Sequence, residues 1–442
     1  MGSTNVSATK AEIDEEKVEL SKFDKFKKFV TPDRHRKIEN MGRRVTTLGV
    51  TGVILLGATG YFSYENSIDK LSDQAMYTSQ FQTSKTGQSG TIQGVYSNKD
   101  RSRVLVMMKF DDAAQMSGIA SNYRTFLAGS SSKGEPESIK DHPSGSIIMF
   151  GQGYMGLYLT KSGGFSKQIM SAIMRADKQL VSSTDVGSQA DADPRKSFQT
   201  YDQWEVFFNP GGKNSTHIAA LDSPKLDIGR IYYDTVLKTA EQAQHKALND
   251  DLVTMNAKLS TIQDYRTRLL TTSINGLKVK VPEDPQMVKG DQITGHADEP
   301  GSPSTLMLKT NTVFNNGFNF DWRKTSIEKG ILKDLVPKGE NYITWFNKKM
   351  SAQAQSDPSA TTEWKLSDGT DLSSVTTSDV TTFQNVNAMV QSLTTAWSEY
   401  YTAKEKYQSD DLGQLLSLEM QLKDVVQNNN INASDRAINF YG

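Results

Sequence analysis

The chain of 442 residues contains no cysteine. That excludes disulfides, thiolate metal sites and cysteine nucleophiles together. A domain built this way depends on core packing, and the chain is long enough to bury a sizeable core and to form two or three domains. Histidine is scarce too. His35, His142, His217, His245 and His296 are the five present, none pairs with another at metal-ligand spacing, and no HExxH motif occurs. Neither sign of charge dominates, the formal net charge being -1. The part beyond residue 64 has no basic patch, so no nucleic-acid partner is expected. Long apolar runs are almost missing: a single stretch, residues 45–64, is long enough to cross a bilayer and carries no charge.

That stretch organises the rest. Leu48, Val50, Val53, Ile54, Leu55 and Leu56 supply its hydrophobicity, while glycines and threonines dilute it. Arg43 and Arg44 flank one end, and the aromatic rim Tyr61, Phe62 and Tyr64 flanks the other. The region before it, residues 1–44, carries 11 Lys/Arg against 8 Asp/Glu, and Glu65 and Asp69 follow it. The positive-inside rule then predicts a retained signal anchor with a cytoplasmic N-terminus and the bulk of the chain outside. A cleaved signal peptide fits less well, since the basic tail is long and no A-x-A-like site follows. No GxxxG is present in the run, so its dimerisation signal is weak. Gly2 is followed by Val6 where a myristoylation site needs Ser or Thr. Leu20, Phe23, Phe26 and Val30, interleaved with lysines, read either as a short amphipathic helix on the inner leaflet or as a solvated basic flank.

Beyond a spacer at 65–89, the period becomes two. Residues 91–96, 104–110, 123–127, 146–150, 154–160 and 203–208 read as strands, 111–119 as a short helix, and 165–175 as either. Residues 90–225 are therefore expected to form a β-rich α+β domain. A long helix at 226–272 follows, with Leu248, Leu252, Met255, Leu259, Ile262 and Leu269 at heptad-like spacing. A second, at 378–428, presents Phe383, Val386, Val390, Leu393, Trp397 and Tyr400, then Lys404 and Tyr407, with an interruption near 410–413. Each seam needs a partner, and the simplest partner for each is the other. Between them lie a small β-containing domain at 273–350, with strand-like pieces at 277–281, 305–310 and 313–320, and a linker at 351–377. A tail occupies 429–442. The expected fold class is α+β: a single N-terminal transmembrane helix, a β-rich outer domain, and two long coiled-coil-like helices flanking a small β-containing domain. The narrow, heptad-like seams favour a helical stalk with that small domain at its far end; the alternative is that both helices pack flat on a globular core.

Motifs for chemistry are few. Gly151-Gln152-Gly153-Tyr154-Met155-Gly156 matches GxGxxG, but the following residues read as a strand, where a dinucleotide site requires a helix. Ser130-Ser131-Ser132-Lys133 matches SxxK within a Ser/Gly loop, not at a helix start. Asp191/Asp193 and Asp368/Asp371 lack the glycine and closing glutamate of a calcium loop. Trp204, Trp322, Trp345 and Trp397 are expected in cores, and Trp364, in a polar linker, against a partner. No catalytic, cofactor-binding or metal-binding residue is assigned, and no cofactor. The layout of basic tail, anchor and large cysteine-free outer part is common among envelope assembly subunits of secretion and conjugation machines, an analogy of layout alone. The expected role is a non-enzymatic, membrane-anchored bacterial envelope scaffold whose partners are the membrane and other envelope proteins, with further copies of itself a candidate partner. A cell-surface adhesin or wall-binding protein, and an envelope hydrolase using carboxylates, are the alternatives.

Overall fold

The computed structural model describes residues 73–131, 135–177, 201–353 and 355–440. The anchor residues Arg43 to Tyr64, His35, Asp191 and Asp193 lie outside these. No described helix is long and apolar enough to cross a membrane. What is described is a mixed α+β architecture with several sheets.

Two largely antiparallel sheets come first. β1 (Gln80–Gln82), β2 (Ser89–Ser97) and β3 (Arg103–Phe110) lead to β4 (Tyr123–Ser130) and a short β5 (Pro136–Glu137). β6 (Ser144–Gly151), β7 (Tyr154–Thr160), β8 (Ile169–Ala176), β9 (Asp202–Phe208) and β10 (Thr216–His217) follow. One sheet runs β1-β2-β3-β7-β6, with β10 also on β2; the other pairs β4 with β8 and β8 with β9. Val104, Val106 and Met108 of β3 face the second sheet's Met170, Ala172, Met174 and Trp204 in one buried cluster. Leu105 and Met107, on the opposite face, join a second cluster made with the helices. The first sheet is thus buried on both sides, which is why β3 reads apolar at consecutive positions and not at alternate ones.

The supposed spacer belongs to the sheets. Besides β1, Met76 bridges Phe208, and Phe81 stacks on Trp204 with ring centroids 5.8 Å apart. The short helix expected at 111–119 is only a 3-10 turn, Ala113–Gln115.

The first long helix has three parts: α1 (Ile228–Tyr232), a π-turn (Tyr233–Leu237) and α2 (Lys238–Thr271). The intervening segment holds β11 (Ser273–Ile274), β12 (Leu277–Lys280), β13 (Gln292–Thr294), β14 (Met307–Lys309), α3 (Leu332–Leu335), α4 (Tyr342–Met350) and β15 (Lys365–Leu366). The second long helix is α5 (Val380–Glu405), a π-turn (Lys406–Asp411) and α6 (Leu412–Asn428). The two run antiparallel: Lys258 pairs with Glu399, Asp251 with Lys406, and Gln244 bonds Asp411. Leu248, Leu252, Met255, Ile262, Leu269, Val386, Val390, Leu393, Trp397 and Tyr400 are buried in a shared cluster, with Leu259 and Phe383 half-buried against it.

The stalk with a domain at its far end is corrected. The intervening segment runs back along the hairpin. Asp284 meets Arg266 and Trp397, Asp291 meets Tyr400, Trp322 meets Tyr407, and Ile327 reaches Glu241 near the start of α2. Residues 313–320 form no strand; Phe314 and Phe318 instead enter the core singly from turns. The tail is corrected as well. β16 (Asn430–Asn432) pairs antiparallel with β6, and β17 (Ile438–Phe440) pairs parallel with β4, so the last described residues join both sheets.

Candidate functional site

Spacing of three and four residues puts Trp397, Tyr400, Lys404 and Tyr407 on one helical face. That face is buried, yet four of its groups are polar, and the intervening segment supplies their partners. Trp397 Nε1 donates to Asp284 Oδ1 at 2.9 Å, and Trp322 Nε1 donates to the Tyr407 hydroxyl at 3.3 Å. Gln408 Oε1 accepts from the Phe314 amide, and its carbonyl accepts from the Phe318 amide. Further on, Glu419 accepts from the amides of Ile331 and Leu332 at 2.6 and 2.9 Å, satisfying the start of α3. Burial raises the Glu419 carboxyl above its ordinary value, against the pull of those amides and Lys423. Buried backbone donors demand partners, and these side chains are where a loop-rich segment finds them.

Lys404 and Asp291 form the centre of this face. Both side chains have zero exposure, and Nζ lies 2.7 Å from Asp291 Oδ2. Nζ also approaches the Met287 carbonyl (2.9 Å) and the hydroxyls of Thr310 (2.9 Å) and Thr312 (3.0 Å). Tyr400 donates its hydroxyl to the same Oδ2 at 2.8 Å. Asp291 Oδ1 is buried and accepts no hydrogen bond. Burial pulls the Lys404 amine below its ordinary value, with Asp291 opposing; burial, reinforced by Asp291, pushes the Tyr400 hydroxyl well up.

A second cluster sits at the π-turn, a local widening of the helix often found at functional positions. Lys406 bridges Asp251 at 2.8 Å and Asp411 at 2.5 Å, and Gln244 Nε2 donates to Asp411 Oδ1 at 2.9 Å. Burial, with a hydrogen bond that its protonated form donates to neighbouring Asp411, pushes Asp251 up to about 7. Burial acts against Asp411 as well, but bonds from Asp251, Lys406 and Gln244 hold it below the usual carboxylate range. The two carboxyls therefore share one proton near neutrality.

The surface offers two features. α4 (sequence YITWFNKKM) is capped by Asn341, whose side chain accepts from the amides of Ile343 and Thr344, but buries none of its residues fully. Trp345 and Phe346 lean on Phe318, while Tyr342, Ile343 and Met350 stay exposed at 36%, 52% and 43%. Exposed lysines at 333, 338 and 348 lie on and beside it, and the Lys423 ammonium sits over the Tyr342 ring. Near the end of α4, a groove of about 410 Å³ is lined by Gln286, Met287, Asn315, Gln353, Gln355, Ser356 and Pro358.

The motif positions are placed plainly. Gly151, Gln152 and Gly153 have φ of 91°, 51° and 84° and make the tight turn between β6 and β7. No helix follows that turn, so the phosphate-cradling geometry does not form. Ser130 ends strand β4. His142 packs on Phe440, His217 pairs with Asp222, and His245 packs on Trp322, where burial lowers its ring pKa. Among the described residues no group of three or more His, Asp or Glu is placed to hold a metal. Trp364 is half-buried and stacks on Trp397 at 5.8 Å and 18° between planes, so one of its contacts lies within the chain. Sequence reasoning missed α4 and Asp291; an apolar cluster of Tyr, Ile, Trp and Phe behind an Asn cap was the signal for the first, and nothing local marks the second. No protein-family model, no curated protein and no solved structure matches this chain.

Proposed function

We propose that the chain is a non-enzymatic, single-pass membrane protein of a bacterial envelope, with a cytoplasmic N-terminus and the described part outside. It acts as a scaffold or assembly subunit, making protein–protein contacts in a machine of the secretion or conjugation kind. The observation that carries this reading is α4. A helix whose Tyr342, Ile343 and Met350 stay exposed beside lysines, while the cores around it are filled, is an interaction surface. A wall-binding adhesin is the second reading, favoured by the groove whose Gln286, Asn315, Gln353 and Gln355 amides suit sugar hydroxyls.

Co-purification of the full chain in mild detergent tests the choice. A stable complex with other membrane proteins, lost in the double substitution Ile343→Asp with Met350→Asp, supports the scaffold. The double variant keeps its thermal midpoint within about 6 °C, because Ile343 and Met350 are already 52% and 43% exposed, with the Met350 tip against Gly413. Retention by isolated cell wall, lost on changing the groove amides, would favour the adhesin. Turnover abolished by one Asp or Glu substitution would replace both with a hydrolase.

A further inference from the structure

We propose that Lys404 and Asp291 are joined by an intramolecular isopeptide bond, formed where the two side chains meet inside the fold. Both side chains of the pair are fully buried, and Nζ lies 2.7 Å from Asp291 Oδ2. An opposed pair of charges in an apolar interior is costly to keep, and condensation removes both charges at once. Beyond the oxygens of Met287, Thr310 and Thr312 that meet Nζ, the neighbourhood is apolar: Met287, Phe314 and Tyr401 form one buried cluster, and Tyr400 is buried beside the pair.

The geometry assigns each atom a part. Nζ attacks Asp291 Cγ and the C–N bond forms. Nζ passes a proton to Oδ2, which it contacts at 2.7 Å, and the amine left behind makes the attack. Oδ2 takes the second proton from the same nitrogen as the C–N bond forms, under the Tyr400 hydroxyl, which donates to it at 2.8 Å. Tyr400, pushed well above its ordinary pKa by burial, keeps its own proton. The Cγ–Oδ2 bond breaks, Oδ2 leaves as water, and Oδ1 stays as the amide carbonyl oxygen. The two hydrogens of that water are the two that Nζ gives up, so an ammonium and a carboxylate become one amide and one water. No oxidant, cofactor or second substrate enters the balance. Thr310 donates its own hydroxyl to the Thr312 carbonyl, and Thr312 donates to the Gln286 carbonyl, so both present lone pairs to Nζ while it sheds protons. The single N–H that remains is matched by the Met287 carbonyl at 2.9 Å. Burial, which lowers the Lys404 pKa, favours the uncharged amine that the attack needs.

The measurement is the intact mass of the full chain under denaturing conditions. A mass about 18 Da below that of the sequence is expected, one water per chain. A tryptic digest is expected to yield residues 290–309 and 366–406 as one branched peptide, uncut after Lys404. Asp291→Ala is expected at its full sequence mass. A wild-type chain at full sequence mass overturns the proposal. So does a mass deficit that maps elsewhere, or one that persists in Asp291→Ala. The decisive reading is on the wild-type protein, so a variant that fails to fold does not blunt the test.

Discussion

Single residues in this fold hold together pieces that are far apart in sequence. Lys404 is the sharpest case, because removing one side of a fully buried pair strands the other. Lys404→Met is expected to lose at least about 3 kcal/mol, measured by urea denaturation, and adding Asp291→Leu is expected to recover part of it. Asp251 gives a pH signature. Its folded pKa of about 7 lies above the 3.8 of a free aspartate, so between these values the folded chain holds a proton that the unfolded chain has released. The sign is therefore a loss of stability as pH rises toward and through 7. Asp411 is shifted downward and titrates below this window. Asp251→Asn is expected to flatten stability between about pH 5 and 8, gaining on the order of 1 kcal/mol over wild type at the upper end. Unchanged pH curves in that variant would remove the shared proton. None of this was legible beforehand. Lys404 falls in an apolar 3-4 repeat and reads as a break in a seam, since its partner is roughly 110 residues away and chain separation leaves no local pattern.

At the scale of elements, legibility followed the length of the pattern. β3 and β7 showed themselves because β-prone apolar residues fill most of their eight and seven positions. Residues 313–320 have the composition of a strand, but Phe314 and Phe318 are four apart and enter the core between turns. α4 is nine residues long, below the length at which a helical period stands out. Linker residues 351–377 contain two 3-10 turns and β15, and Asp357 there accepts from Ser398 of α5 at 2.6 Å. The long helices depend on their caps as well as their seams. Asp379 accepts from the Thr382 amide at 3.0 Å, closing the start of α5 beside Thr377 and Asn275. Asp379→Ala is expected to cost about 1 kcal/mol, read as a lower denaturation midpoint without a change in slope.

For the whole described molecule, the filled cores of the two-sheet layer and the helical layer meet at the first sheet, whose Leu105, Met107, Ile148 and Phe150 face the helices while Val104, Val106 and Ile147 face the second sheet. Loss of either layer exposes one face of that sheet. The C-terminal strands were invisible in the sequence because three residues each, NIN and INF, carry no measurable period. Yet β16 lies on the first sheet and β17 on the second. Truncation after residue 429 is expected to destabilise the fold by at least about 3 kcal/mol or to prevent it, checked by thermal melting and limited proteolysis.

Those two strands also impose an order in time. β4 precedes its parallel neighbour β17 by about 300 residues, so the second sheet lacks that edge strand until residues 438–440 have been made. A ribosome still holding residues 430–440 keeps the sheets unfinished, with loop closure across about 300 residues still to come. Both sheets therefore close late and together, and the slowest step of folding is expected to be the docking of these two short strands.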